Sequence, residues 1–219
     1  MGQIQDGRPF GPPVHHARQG PLGLRHVGHT RARIFGPEVG GLIFSAPLPG
    51  TVGRIDHDQA LQATTYVHYQ FHGNGPWVGF TWRYDSGIVS SGVPDLASAL
   101  SLTADQQAAI GFYCGSNVAS LTNRITSCGS SNWGAKQISI PAPGTENDDT
   151  NPAHVVGRHV LSLSIGIDNL FRTDHYHWTL RLTAQNLTNT QRLYNFLSTC
   201  AGTHWLAPRS LRAQLALEF

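Results

Sequence analysis

Apolar and polar residues alternate with a period of two along several parts of the chain, and this alternation is its clearest structural signal. A helix has a period of 3.6 residues and would spread such apolar residues around its circumference. At the end of the chain, the apolar residues that share one face are Leu211, Ala213, Leu215, Leu217 and Phe219. The same alternation predicts strands near residues 59–72, 75–86, 158–168, 175–188 and 208–219, and a weaker one near 28–35. The sequence therefore predicts an all-β fold, an antiparallel meander of about six long strands.

The links between these strands alternate between short and long. Residues 72–76 contain a tight Gly-Asn-Gly-Pro turn, and residues 170–175 form another short link. The long links are residues 36–58, 87–157 and 187–208. Short turns at one end and long loops at the other are typical of outer-membrane barrels. Since about eight strands make the smallest common barrel, we expect an open, curved sheet, a partial transmembrane β-barrel with long external loops.

The alternation by itself also fits a secreted or periplasmic β-sandwich that acts as a binding module, with the apolar faces forming its core. Three features favour the barrel. Aromatic residues such as Trp82 and Trp178 lie near strand ends, as in the interfacial girdles of barrels. The strands are about as long as a tilted membrane strand requires. The chain also stops on the apolar residue Phe219, inside a strand whose edge a closed barrel would pair.

Composition agrees with uncharged strand surfaces, because only 13% of the residues are charged and 24 are glycine. The formal charge of +2 is too small to indicate a nucleic-acid partner. No apolar run is long enough for a transmembrane helix. The start of the chain also lacks the apolar stretch of a signal peptide, so we expect that the true N-terminus is missing.

Residues 1–27 are rich in Gly, Pro, His and Arg and show no period. Their four prolines, Pro9, Pro12, Pro13 and Pro21, oppose regular strand pairing. We expect this stretch to be disordered, or to be an extension that does not belong to the fold of residues 28–219.

The long link 87–157 contains no alternating strand of comparable quality. Residues 103–112 predict a short helix with Thr103 as its N-cap, and residues 130–140 predict a hairpin arm. Cys114 and Cys128 lie close together in a segment that looks too polar to form a core, so we predict a disulfide between them, with Cys200 free. Three unpaired cysteines are the alternative.

The C-terminal residues resemble the end of TonB-dependent receptors of the outer membrane of Gram-negative bacteria. Residues 202–219 contain a Pro208-Arg209 pair, then an alternating strand, then the terminal Phe219, as the last strand of that family does. Residues 182–189 are similar to the family's penultimate strand. The segments that resemble an acidobacterial-type subgroup of the family are 35–41, 55–59, 82–87 and 194–204.

The resemblance covers about residues 28–219 and implies the C-terminal part of a receptor barrel, truncated at the N-terminus. It implies a place in the cell outer membrane, no enzymatic activity, and TonB-dependent uptake of an iron chelate, cobalamin or a glycan. The expected partners are outer-membrane lipid, the barrel-assembly machinery, and the TonB system through a plug domain that is missing here. The assembly signal would comprise Phe219, Leu217, Leu215 and Leu211.

No catalytic or cofactor-binding motif emerges from the remaining residues. His68 and His72 share a strand face but lie too far apart to chelate one ion readily. The acidic residues near 146–149 lack the spacing of a calcium loop. Ser86 and Ser162 are not in a nucleophile elbow. The sequence predicts no metal site, no cofactor and no particular ligand-binding residue.

Overall fold

The computed structural model describes residues 22–30, 33–34, 53–54, 58–71, 75–145, 150–173, 176–198 and 202–218. Its elements, in chain order, are the strands β1 (Leu22–Thr30), β2 (Arg33–Ile34), β3 (Gly53–Arg54), β4 (Gln59–Gln70) and β5 (Trp77–Asp85), the helices α1 (Leu96–Ser101) and α2 (Ala104–Ile110), and the strands β6 (Phe112–Cys114), β7 (Asn117–Val118), β8 (Trp133–Ala135), β9 (Ile138–Ser139), β10 (His154–Val155), β11 (Arg158–Ile167), β12 (His177–Gln185), β13 (Leu193–Ser198), β14 (Gly202–Trp205) and β15 (Ser210–Glu218).

The long strands form one six-stranded sheet in the order β1-β4-β5-β11-β12-β15. Every neighbouring pair in it is antiparallel, so the sheet is a meander that follows chain order. The all-β, antiparallel prediction is confirmed, and five of the six predicted strands begin and end within about three residues of the observed bounds. Within the described residues the two edge strands, β1 and β15, do not pair with each other.

The prediction for the first strand was wrong. The strand covers Leu22–Thr30 rather than residues 28–35, so it includes six residues assigned to a stretch outside the fold. It pairs with β4 from Leu22 opposite His68 to Thr30 opposite Gln59. The prolines do not prevent this pairing, because the last of them, Pro21, directly precedes the strand. The rest of the predicted extension, residues 1–21, lies outside the described residues.

The long links between the sheet strands fold into a compact body, which we call the loop unit (the described parts of residues 86–157 and 186–209). It contains three small sheets, β7-β6-β8, β9-β10 and β13-β14. Its buried core consists of Val93, Ala99, Leu102, Ile110, Phe112, Ala119, Ile125, Ile138, Ala153, Val155, Leu193 and Phe196. The expectation that residues 87–157 are too polar for a core was therefore wrong, because short elements gather apolar residues that show no period along the sequence.

Local signals explain the two helices. Asp95 caps α1 by accepting a hydrogen bond from the backbone N–H of Ser98 at 2.7 Å. The predicted cap of α2 is confirmed, since Thr103 and Gln106 form a reciprocal capping box. The hydroxyl of Thr103 also donates to Asp105, which lowers the pKa of that carboxyl group. Gly111 ends α2 in the left-handed conformation at φ 64°.

Residues 130–140 do not form a hairpin arm, so that prediction was wrong. They contain β8 and β9, but β8 pairs with β6 and β9 pairs with β10. Both strands are only two or three residues long, and each is held by a partner from another part of the loop unit.

The buried Gln107 ties α2 to the segment after β7. Its side-chain amide donates to the backbone oxygens of Ala99 at 2.9 Å and Ile125 at 2.7 Å. Its carbonyl oxygen accepts from the N–H of Ile125 at 2.8 Å. Every polar atom of this core side chain is used, so it stabilises the loop unit instead of leaving a buried polar group unpaired.

A disulfide joins Cys114 to Cys128, as predicted, with Cα atoms 5.8 Å apart. It connects β6 to the segment before β8 and closes a stretch in which β7 is the only regular element. Cys200 lies outside the described residues.

Candidate functional site

The six-stranded sheet has one apolar face that continues in phase across five strands. Register places Val67 beside Phe80, Phe80 beside Leu163, and Ile165 beside Leu182. Leu180 stands opposite Leu215, and Trp178 stands opposite Leu217. Because side chains alternate along each strand, one register error would have moved a whole row to the other face. The apolar rows of β4, β5, β11, β12 and β15 therefore form one continuous surface.

This apolar face is exposed. The large side chains on it with exposed fractions between 37% and 76% are Leu61, Val67, Tyr69, Phe80, Ile165, Leu182, Leu211, Leu215 and Leu217. The hydrophobic core cluster of the described residues lies entirely in the loop unit, and the buried apolar residues of the sheet strands are Ala63 and Trp77 alone. A contiguous apolar surface of this size marks a membrane or interaction site on a natural protein.

Aromatic side chains flank the apolar face at the end of the sheet where the links are short. The ring of Phe71 meets Tyr69 edge to face, with centroids 4.7 Å apart. On the next short link, Phe171 meets Trp178 in the same way at 6.0 Å. Tyr176, just before β12, is also exposed. Aromatic residues that end an apolar band are enriched at membrane–water interfaces.

A second aromatic group lies at the end of the sheet that carries the loop unit. The ring of His159 stacks on Trp82 at 5.9 Å and lies 4.8 Å from the ring of Tyr84. The indole N–H of Trp82 donates to Nδ1 of His159 at 3.3 Å, which places the histidine proton on Nε2 when the ring is neutral. The apolar face thus has aromatic residues towards both ends.

The opposite, polar face carries a cluster of rings that lie flat over glycines. Trp77 lies over Gly166, where an added Cβ would approach its ring to 2.5 Å. Its indole N–H donates to Asp168 at 3.0 Å, and the guanidinium of Arg181 lies over the ring at 5.1 Å. His68 lies beside the same ring at 5.4 Å. This cluster joins four neighbouring strands, β4, β5, β11 and β12, and it fixes their register by packing an aromatic ring into the space that a glycine leaves.

A buried ion pair joins the sheet to the loop unit. Asp85, the last residue of β5, stands opposite Arg158, the first residue of β11, and the Nε–Oδ2 distance is 3.2 Å. The guanidinium also donates a hydrogen bond from NH1 to the carbonyl oxygen of Leu193 at 3.1 Å. The guanidinium also lies 4.7 Å from the ring centroid of Tyr194. One side chain therefore anchors the stems of both long loops.

A shallow depression of about 180 Å³ lies beside this junction. It is lined by residues from the start of β4 and from both ends of the link 86–157, namely Asp58, Ala60, Ser86, Gly87, Val89, Thr150, Asn151, Pro152 and His154. Val89 donates its N–H to the carbonyl oxygen of Asp58 at 3.1 Å. The depression is small beside ordinary ligand pockets.

The structure places three of the four predicted assembly-signal residues, Leu211, Leu215 and Leu217, on the exposed apolar face of an edge strand. The fourth, Phe219, lies outside the described residues. Sequence reasoning missed Asp85, Arg158 and Gln107, because their roles depend on partners that are distant along the chain. Among the described residues, no three His, Cys, Asp or Glu side chains are grouped so that they could hold a metal ion.

None of the described helices has both the length and the apolar character needed to cross a membrane. Comparisons of the chain with protein-family models, curated proteins and solved structures find no match.

Proposed function

We propose that this chain is the C-terminal part of an outer-membrane β-barrel of the TonB-dependent receptor type, and that it takes part in uptake rather than catalysis. The observation that carries the proposal is the exposed apolar face, which stays in phase across five antiparallel strands. In lipid, such a face needs no covering layer, whereas its polar reverse would line the lumen.

Strand length supports the same assignment. The strands of the main sheet contain 9, 12, 9, 10, 9 and 9 residues in chain order. A β-strand that crosses a bilayer at a tilt of about 45° needs about 9–11 residues, and strands of soluble proteins most often have about five or six. The strands thus match the thickness of a membrane.

The distribution of links gives the sheet an orientation. Both short links, 71–76 and 168–176, lie at one end, and all the residues of the loop unit lie at the other. In outer-membrane barrels the short turns face the periplasm and the long loops face outwards. The loop unit would then be the external, ligand-facing part of this chain. Its disulfide supports this assignment, because disulfides form and persist in oxidising compartments.

The ligand class follows from the resemblance alone. An iron chelate, cobalamin or a glycan fragment would bind among the external loops, and TonB would supply energy through a plug domain. Phe219 would act at the end of the sheet that carries the short links, where the barrel-assembly machinery would read the last strand.

A secreted β-sandwich is the other fold that the alternation allows. A sandwich needs a second sheet whose inner face covers the apolar rows of the first. The three small sheets of the loop unit contribute their buried apolar side chains to the core of that unit instead. No structural observation on these residues favours the sandwich over the barrel.

Membrane extraction separates these two functions. Cell envelopes of the source organism are washed with alkaline carbonate and then with a mild detergent, and the protein is followed by an antibody to the loop unit. We expect the protein to stay in the pellet after carbonate, to enter detergent, and to migrate differently before and after boiling. Release by osmotic shock or by carbonate would contradict a membrane-embedded barrel and favour the secreted module.

A further inference from the structure

The edge strand β1 is out of phase with the rest of the sheet. Its pairing with β4 places Arg25 opposite Thr65, on the apolar face, and Leu24 opposite Tyr66, on the polar face. Leu22, opposite His68, shares the polar face with Leu24, and these two leucines are 56% and 67% exposed. In every other strand of the sheet the leucines lie on the apolar face and the arginines on the polar face or at a strand end.

The mismatch begins at a bulge. Gly28 stands opposite Gln62, but Thr30 stands opposite Gln59, so β4 has one more residue than β1 between these two pairs. The bulge therefore separates two registers that differ by one residue. The pair on the far side of the bulge, Thr30 with Gln59, belongs to the register that β1 does not adopt along Leu22–Gly28.

Extending the Thr30–Gln59 register through the whole strand would move every side chain of Leu22–Gly28 to the other face. Leu22 and Leu24 would join the apolar face, and Arg25 would join the polar face. His26 and Val27 would also change faces, and each would then lie on the less favourable side. The exchange is favourable in lipid, because an arginine is the most costly of these residues on a lipid-facing strand and leucine is among the least.

We infer that β1 is a register switch, which slides by one residue against β4 and loses its bulge when the sheet is embedded in a bilayer. This inference rests on the proposed membrane function, since in water neither face has a strong preference for Arg25. In the second register Arg25 would face the polar lumen side of the sheet, and Leu22 and Leu24 would face the acyl chains of the lipid.

Cysteine cross-linking reports the register directly. The full chain carries Val27→Cys and Cys200→Ser. The second change removes the remaining native thiol, so that only the engineered pair can form a disulfide besides Cys114–Cys128. The second cysteine is introduced either as Ala63→Cys, at the present partner of Val27, or as Gln62→Cys, at its partner after the slip. Both proteins are expressed together with the remaining strands of the barrel, and insertion into outer-membrane fractions is verified by resistance to alkaline carbonate before mild oxidation.

In the outer membrane we expect the cross-link between positions 27 and 62 to form in higher yield than the cross-link between positions 27 and 63. The matched variant Arg25→Leu removes the main reason for the slip. It should lower the ratio of the 27–62 cross-link to the 27–63 cross-link by about tenfold. A tenfold change corresponds to about 1.4 kcal/mol, which lies between the penalties of a lipid-facing arginine at the interface and at mid-bilayer. An inserted protein that cross-links mainly through position 63, or whose ratio is unchanged by Arg25→Leu, overturns the register switch and leaves the membrane function standing. A protein that does not resist carbonate overturns the membrane function and the switch together.

Discussion

Arg158 and Asp85 stand opposite each other on neighbouring strands, with Nε and Oδ2 3.2 Å apart and side-chain exposures of only 1% and 2%. The attraction between two opposite charges that are buried together offsets the cost of removing them from water, whereas burying either charge alone destabilises the fold. Asp85 lies where the link of residues 86–157 leaves the sheet, and Arg158 lies where this link returns to it. It therefore holds the loop unit in a fixed position relative to the strands.

Removing the carboxylate should unfold this junction. We expect Asp85→Ala to lower the free energy of unfolding by about 3–5 kcal/mol, because it leaves the guanidinium of Arg158 buried without a counter-charge. The measurement is urea unfolding of the protein in detergent micelles, followed by intrinsic fluorescence.

Arg83→Ala is the matched control for the buried pair. Arg83 also contacts Asp85, at 3.1 Å, but its side chain is 39% exposed, so its loss should cost about 1 kcal/mol or less. If Asp85→Ala and Arg83→Ala lower the free energy of unfolding equally, Asp85 does not compensate the buried charge of Arg158.

The disulfide should stabilise the loop unit independently of the sheet. Cys114 and Cys128 are 14 residues apart, and closing a loop of that size contributes about 3 kcal/mol in the chain-entropy model. We expect the double variant Cys114→Ser/Cys128→Ser to be cut faster by protease within residues 115–132, with the sheet strands still protected. Cys200→Ser removes a thiol but keeps the disulfide, and it should leave the cleavage rate unchanged. A double variant as resistant as the parent would show that the core alone holds this segment.

The packing of Trp77 over Gly166 predicts a strong effect from one methyl group. A Cβ at position 166 would lie 2.5 Å from the Trp77 ring and 3.0 Å from the carbonyl oxygen of Leu180. We expect Gly166→Ala to lower the free energy of unfolding by about 1–3 kcal/mol and to shift the tryptophan emission spectrum, because the ring must leave its position. Gly129→Ala introduces the same methyl group where no heavy atom lies within 4 Å, and it should change neither quantity.

The sequence is most informative where the structure repeats. The strands β4, β5, β11, β12 and β15 each contain nine or more residues, so alternation has room to become visible. The start of β1 could not be recognised, because Leu22 and Leu24 lie on one face and Val27 lies on the other, so its apolar residues do not keep a period of two.

The loop unit could be predicted only at α2, where the capping residues stand next to the helix in sequence. Its strands of two to six residues are too short to show a period, and its core unites Val93 with Phe196 from two separate links. The contacts of Gln107 and Arg158 are equally hidden, since each joins residues that the chain brings together only after folding. Such partners are determined by tertiary packing and leave no local pattern.

The central claim is that the exposed apolar face meets lipid, and two neighbouring residues of β15 test it most directly. Leu215 lies on the apolar face opposite Leu180, and Ala216 lies on the polar face opposite Thr179. An arginine on the lipid face at mid-depth costs about 2–4 kcal/mol, whereas an arginine on the lumen side can be hydrated.

The measurement is the amount of folded, heat-modifiable protein in outer-membrane fractions, with the chain expressed together with the remaining strands of its barrel. We expect Leu215→Arg to reduce this amount severely and Ala216→Arg to leave it near that of the parent. If the two variants accumulate equally, or if Ala216→Arg is the more damaging, the assignment of the apolar face to lipid is wrong.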